Sequence, residues 1–203
     1  MFLSPKNGGR LVKVIEPCRL AIALELEFDP EITTYVERPR KLSVDGADLE
    51  LCFWSRRSDT AESYQIFRRQ PKPTVPAVRM EERICTNLLG AAKSAGMPLT
   101  IRKPASILAN RVANATRLEL LPYVQAASGL EGIETLVRAV TSCMEANPIS
   151  SFYAIERSLC DPFDWRDIRS ATCLLIHKGV LSIDLHERLR VSSKVRWKEA
   201  AHA

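Results

Sequence analysis

The proline at position 30 most constrains how this chain can fold, because the patterning changes there from helical to strand-like. Across residues 14–28, Val14, Cys18, Ala21 and Glu25 form one row, with Leu20, Leu24 and Phe28 beside it. That spacing predicts a helix. Proline disfavours helix in the residue before it, so the helix is expected to end at Asp29-Pro30. Pro17 is acceptable, since first-turn amides have no helical partner. Residues 32–36 and 41–44 are β-rich, Asp45-Gly46 predicts a hairpin turn, and residues 49–55 are its expected return. Residues 63–67 are a further expected strand and 71–78 a proline-rich connector. Residues 80–95 are an amphipathic helix ended by Gly96. Residues 99–102 make a short strand, and residues 112–121 a helix stopped by Pro122.

The second half reads differently. Ser128-Gly129 lies in the expected boundary, 125–132. Residues 131–146 are helical, and Asn147-Pro148 is expected to supply the N-cap and first-turn proline of a second helix through residue 159. Asp164 is expected to cap a third helix through His177, closed by the basic Lys178 and by Gly179. Residues 181–185 and 190–192 are then read as a β-hairpin. Three helices followed by a hairpin is winged-helix order.

The 203 residues suit two domains and carry a net charge of +5. The cationic surplus lies in the first 125 residues, which permits nucleic-acid binding without requiring it. No apolar run is long enough to span a membrane and the N-terminus is not patterned as a secretory signal, so the cytoplasm is the expected compartment. The six cysteines form no C-x-x-C pair, which favours buried free thiols over a disulfide framework or zinc site. No G-x-S-x-G or glycine-rich phosphate loop is present. His177 and His186 have no acid neighbours in sequence and read as surface or capping residues; Trp165 reads as a core or interface anchor.

Two blocks carry a resemblance. Leu26-Glu27-Phe28-Asp29-Pro30-Glu31-Ile32, followed by Val36-Glu37-Arg38-Pro39, is similar to the signature of the TnsA family, the endonuclease subunits of heteromeric cut-and-paste transposases. Ile107 to Ala115, with Leu118, Leu121, Pro122 and Tyr123, resembles a second segment of that family. The resemblance, which spans about residues 10–125 by motif, implies an α/β fold with a restriction-endonuclease-like mixed-sheet core over residues 1–125; element order alone adds a small winged-helix domain over 131–203.

It also implies where chemistry belongs. The family's first-helix acids align with the stretch holding Glu16, one position out of register, and Arg19. The strand aspartate aligns with Cys52. The acid-or-glutamine and lysine of the next strand align with Gln65 and Phe67. Magnesium wants several hard oxygen ligands, whereas a guanidinium repels the ion, a thiol is a poor ligand for it, and phenylalanine lacks the lysine's charge. The expectation is therefore a TnsA-like accessory subunit with no catalytic residues, no metal and no cofactor. Its implied partners are DNA, a transposase subunit and an AAA+ regulator of the same element. One alternative is an active Mg²⁺ nuclease using shifted ligands such as Glu16, Asp48 or Glu50. Another is a stand-alone winged-helix DNA-binding regulator. Candidate DNA contacts are Arg166, Arg169, Arg188, Arg190, Lys194 and Arg196.

Overall fold

The computed structural model of this mixed α/β chain describes residues 1–69 and 72–198. The chain divides into two compact units. The first comprises residues 1–2, 11–26 and 31–110; the second comprises 3–10, 27–30 and 111–203. These units divide between residues 110 and 111, and two short N-terminal pieces join the second. Residue 71 of the expected connector and residues 199–203 of the expected second domain lie outside the described residues.

Strands β1 (Phe2–Ser4) and β2 (Arg10–Val12) pair as a two-stranded sheet, joined through a 3-10 turn at Pro5–Asn7. Helix α1 spans Pro17–Phe28, with Pro17 in its first turn, so residues 14–16 are not helical as expected. Strands β3 (Ile32–Glu37), β4 (Lys41–Val44), β5 (Ala47–Glu50), β6 (Phe53–Arg57) and β7 (Glu62–Phe67) follow. Asp45 and Gly46 both have positive φ, as a tight two-residue hairpin turn demands. The return of that hairpin is not one strand. It breaks at Leu51-Cys52: β5 stays paired with β4, while β6 enters another sheet.

That sheet has the order β3-β6-β7-β8, with β8 at Leu99–Arg102. Its first three strands are antiparallel, and β8 runs parallel to β7. A parallel neighbour needs a crossover, and α2 (Val75–Ser94) provides it. Residues 75–78, expected as connector, are therefore its first turn: Pro76 sits where its missing N–H leaves no helical bond unmade. Helix α3 (Pro104–Ala109) ends the unit. Ile22, Leu24, Tyr35, Phe53 and Leu88 are among its fully buried side chains.

The second unit contains α4 (Arg111–Ala127), α5 (Ile133–Ala146), β9 (Ile149–Ser151), α6 (Phe152–Leu159), α7 (Trp165–His177), β10 (Leu181–Ile183) and β11 (Lys194–Trp197). Pro122 does not stop α4. It lies on the exposed side, as does Leu118, whose carbonyl loses its helical donor. Nor does Asn147 cap the next helix. Residues 149–151 are a strand, and Ser151 caps α6 by accepting from the Ala154 amide at 3.2 Å. Asp164 caps α7 as expected, at 2.8 Å from the Arg166 amide. The sheet is antiparallel in the order β10-β11-β9, so the second hairpin strand is Lys194–Trp197 and not residues 190–192. Leu120, Val124, Val140, Met144, Ile155 and Ile168 form the centre of the core.

A buried carboxylate joins the separate pieces of this unit. Glu27 has no solvent exposure. It accepts from Ser4 Oγ at 2.5 Å and from the Lys6 amide at 3.0 Å, and it meets His177 Nε2 at 2.9 Å. Phe28 packs edge-on against the His177 ring, 5.3 Å between centroids. A Cβ on Gly179 would lie 2.5 Å from Pro30 Cβ, and Gly179 also has φ +75°. The stretch from Glu27 to Pro30 therefore grips the carboxyl end of α7. His177 is thus a buried partner, which corrects its reading as a surface or capping residue.

His177→Ala is expected to destabilise the chain by about 1–3 kcal/mol in urea denaturation, because it strands a buried acceptor. Gly179→Ala should lose about as much or more, through overpacking on Pro30 and a strained φ. Losses below about 0.5 kcal/mol, the range of surface substitutions, would refute the clasp. A pH dependence is also expected. Burial pushes the Lys6 ammonium down from 10.5 to about 8, against the pull of Glu27 and Asp29. Between those two values the unfolded chain holds more protons than the folded one, so this residue's contribution to stability rises with pH across that window. The difference in stability between wild type and Lys6→Met, from urea denaturation at pH 7.5 to 10.5, should rise with pH across that window; a difference independent of pH would refute it.

Candidate functional site

Four of the five positions singled out in the first unit are brought together. Arg19 lies in the first turn of α1, 25% exposed by side chain. Its Nε is 3.5 Å from Glu16, just before the helix, and its Nη1 is 3.2 Å from Glu50, at the end of β5. Arg38, held at a positive φ, adds a second cation 3.6 Å from the same Glu50 oxygen. Cys52 directly precedes β6 and is buried. Its sulfur accepts from the Phe67 amide at 3.1 Å, while its own amide donates to the Gln65 carbonyl at 2.8 Å. Burial pushes the thiol up; the amide bond from Phe67 and the charge of Arg19 pull it down, and Glu16 and Glu50 push it up again. The charges around Arg19 thus reach the thiol.

Gln65 and Phe67 project from the same side of β7 by strand alternation. Gln65 Oε1 accepts from Arg102 Nη1 at 3.4 Å, and Arg102 Nη2 pairs with Glu25 at 2.5 Å. Asn110 completes this chain, donating to Glu25 at 3.2 Å. Glu25, Arg102 and Asn110 were missed by sequence reading; Glu25 lies 77 residues from Arg102, and no local pattern marks such a pair.

Each carboxylate of this cluster is already matched by an internal cation: Glu16 and Glu50 by Arg19, Glu25 by Arg102. The arrangement does not suit Mg²⁺, which collects several negative oxygens around open, hydrated positions. Here a guanidinium stands between two of the acids, and the strand position is a neutral thiol accepting a backbone bond. Among the described residues, no group of three or more His, Cys, Asp and Glu side chains is placed to hold a metal ion. Asp48, on β5 opposite Ser43, has no link to the cluster.

The basic candidates of the second unit separate into two kinds. Arg169 is enclosed: its Nε pairs with the buried Glu156 at 2.6 Å, and the guanidinium lies 5.0–6.0 Å from the rings of Trp165, Tyr123 and Phe152. Its charge is spent inside the unit. Arg166, Arg188, Arg190, Lys194 and Arg196 are exposed. Lys194 and Arg196 share a face of β11, with Val195 buried between them. Trp165 is itself 42% exposed and flanked by Arg166 at 4.8 Å, so it is a surface ring and not a core anchor. His186 is exposed, as expected, and its amide is bound by Asp184.

Arg19→Ala should cost little stability, about 1 kcal/mol or less for partly exposed ion pairs. Wild-type chain should show no saturable Mn²⁺ uptake in calorimetry and no melting shift with Mg²⁺. A saturable site that Glu50→Gln abolishes would show that Arg19 does not neutralise the acids. No protein-family model matches this chain, and no curated protein sequence matches it.

Proposed function

We propose that the chain is a TnsA-like accessory subunit of a heteromeric transposition complex, one that contributes architecture and not strand cleavage. The reading rests on the resemblance of the Glu27 and Asn114 blocks, and the topology agrees with it. A helix, three antiparallel strands, a crossover helix and a fourth strand parallel to the third is the order a restriction-endonuclease-like core requires. After α4, the second unit runs helix, strand, two helices and two strands, with β11 between β10 and β9, an order that suits a winged helix. The observation that carries the loss of catalysis is Arg19 between Glu16 and Glu50. Cleavage by metal-activated water needs ligands to gather the ion and a positive group at the developing phosphate charge. The first are neutralised here, and Phe67 stands where the second belongs.

DNA binding would come from the exposed cations of the second unit. Arg188, Arg190 and Lys194 lie on or beside the segment between β10 and β11, and Arg196 lies on β11 itself. Such contacts neutralise phosphates and confer little sequence preference. The exposed Trp165-Arg166 pair at the start of α7 supports the second reading, a stand-alone winged-helix regulator, because an aromatic ring beside a guanidinium suits a nucleic-acid surface.

Three measurements test this. Purified chain with Mg²⁺ or Mn²⁺ should not nick transposon-end DNA, alone or with a transposase partner; metal-dependent nicking lost in Glu16→Ala would restore the nuclease. Joint substitution of Arg188, Arg190, Lys194 and Arg196 by Ala should weaken duplex binding at least tenfold and flatten its salt slope by about 3–4 units. Co-purification with a neighbouring transposase separates the two readings, since a stand-alone regulator would show none.

A further inference from the structure

A cavity of about 700 Å³ opens inside the first unit, apart from the Arg19 cluster. It lies just beyond the carboxyl ends of β7 and β8. These strands end in register at Phe67 and Arg102, and the Arg68 amide still donates to the Arg102 carbonyl at 3.0 Å. The next residues, Arg68, Arg69 and Lys103, therefore reach one wall. Open α/β sheets bind ligands in this place, because the strands stop there while the crossover helix continues. The volume is that of a small-molecule pocket.

The wall is chemically divided. Arg68 is spent: it makes a two-pronged pair with Glu81 of α2, at 3.0 and 2.7 Å. Arg69 and Lys103 are exposed, and their side chains make no hydrogen bond or ion pair among the described residues. Two uncommitted cations thus face a cavity whose deeper cation is already neutralised. Val78, Ala105 and the half-buried Cys85 supply apolar surface, and Glu82 offers an acceptor for a hydroxyl.

We propose that this cavity binds an organic phosphate of mononucleotide size. Its phosphate lies against Lys103 and Arg69, its ring against Val78 and Ala105, and its sugar hydroxyl donates to Glu82. The phosphate comes from a free mononucleotide or from the 5′ end of a DNA strand. The site involves no residue of the Arg19 cluster and none of the second unit, so it stands whether or not the chain serves transposition.

The test uses the full chain at low salt with three probes: adenosine 5′-monophosphate, a short single-stranded oligonucleotide with a 5′-phosphate, and the same strand with a 5′-hydroxyl. Affinity for the phosphate probe should fall about tenfold or more in Arg69→Glu/Lys103→Glu, as loss of charge-assisted hydrogen bonds implies. The milder Arg69→Gln/Lys103→Gln pair is the alternative should charge reversal unfold the chain. Saturating ligand should slow alkylation of Cys85, read peptide by peptide at pH 8.5, because burial holds this thiol up. Binding of the mononucleotide alone assigns a small-molecule site; binding of the phosphorylated strand alone assigns a strand-end site. No binding by either phosphate probe, equal binding by the hydroxyl-ended strand, unchanged affinity in both double variants, or an unprotected Cys85 would overturn the proposal.

Discussion

Glu27 carries a carboxyl group into a place closed to bulk solvent, and the second unit is organised around satisfying it. A buried charge costs several kcal/mol unless donors replace its hydration. The donors come from widely separated parts of the chain: Ser4 and the Lys6 amide from the N-terminal turn, and His177 from the end of α7. Phe28 and Pro30 then pack on either side of that contact, on His177 and Gly179. The most conspicuous sequence block of the chain is therefore a fastening. Its glutamate points at a histidine within the same unit and not at the Arg19 cluster.

The Arg19 cluster obeys the opposite logic. It is partly open, and its charges cancel in place. Glu16 and Glu50 converge as metal-binding acids do, but the cation between them is part of the chain and cannot exchange. The hydrogen bond from the Phe67 amide to Cys52 ties the start of β6 to the end of β7 through a neutral atom. The geometry of converging strands survives without the ionic chemistry such geometry usually serves. Charge matching keeps polar side chains tolerable at the edge of a sheet, and the same matching removes the attraction for a divalent ion.

Local signals in the sequence were read where local physics decides the outcome. Asp45-Gly46 fixes its own backbone, Asp164 caps its own helix, and Pro17 sits in a first turn for lack of an amide. Misreadings arose where tertiary packing overrides local preference. Pro122 was read as a stop, yet its missing bond falls on the exposed side of α4, where water can replace it. Asn147-Pro148 looks like a helix start, but pairing with β11 draws residues 149–151 into a strand. The site was legible by position, since Glu16, Arg19, Cys52 and Gln65 do gather with the Phe67 backbone. Its partners were not. Arg102 at the end of β8 reaches Glu25 on α1, and His177 meets Glu27 at a separation of 150 residues, so neither leaves a periodic trace.

That separation sets an order of events during synthesis. Glu27 leaves the ribosome long before His177 exists, so for most of translation its carboxyl group must stay hydrated or find a temporary partner. Residues 3–10 and 27–30 are made before residues 111–203, the remainder of the unit they complete. Closing so long a loop adds little to the equilibrium entropy but delays the contact that rewards it. The second unit therefore reaches its folded state only after α7 has been released. Any ribosome stall before residue 177 leaves the early acid without the histidine that meets it in the finished fold.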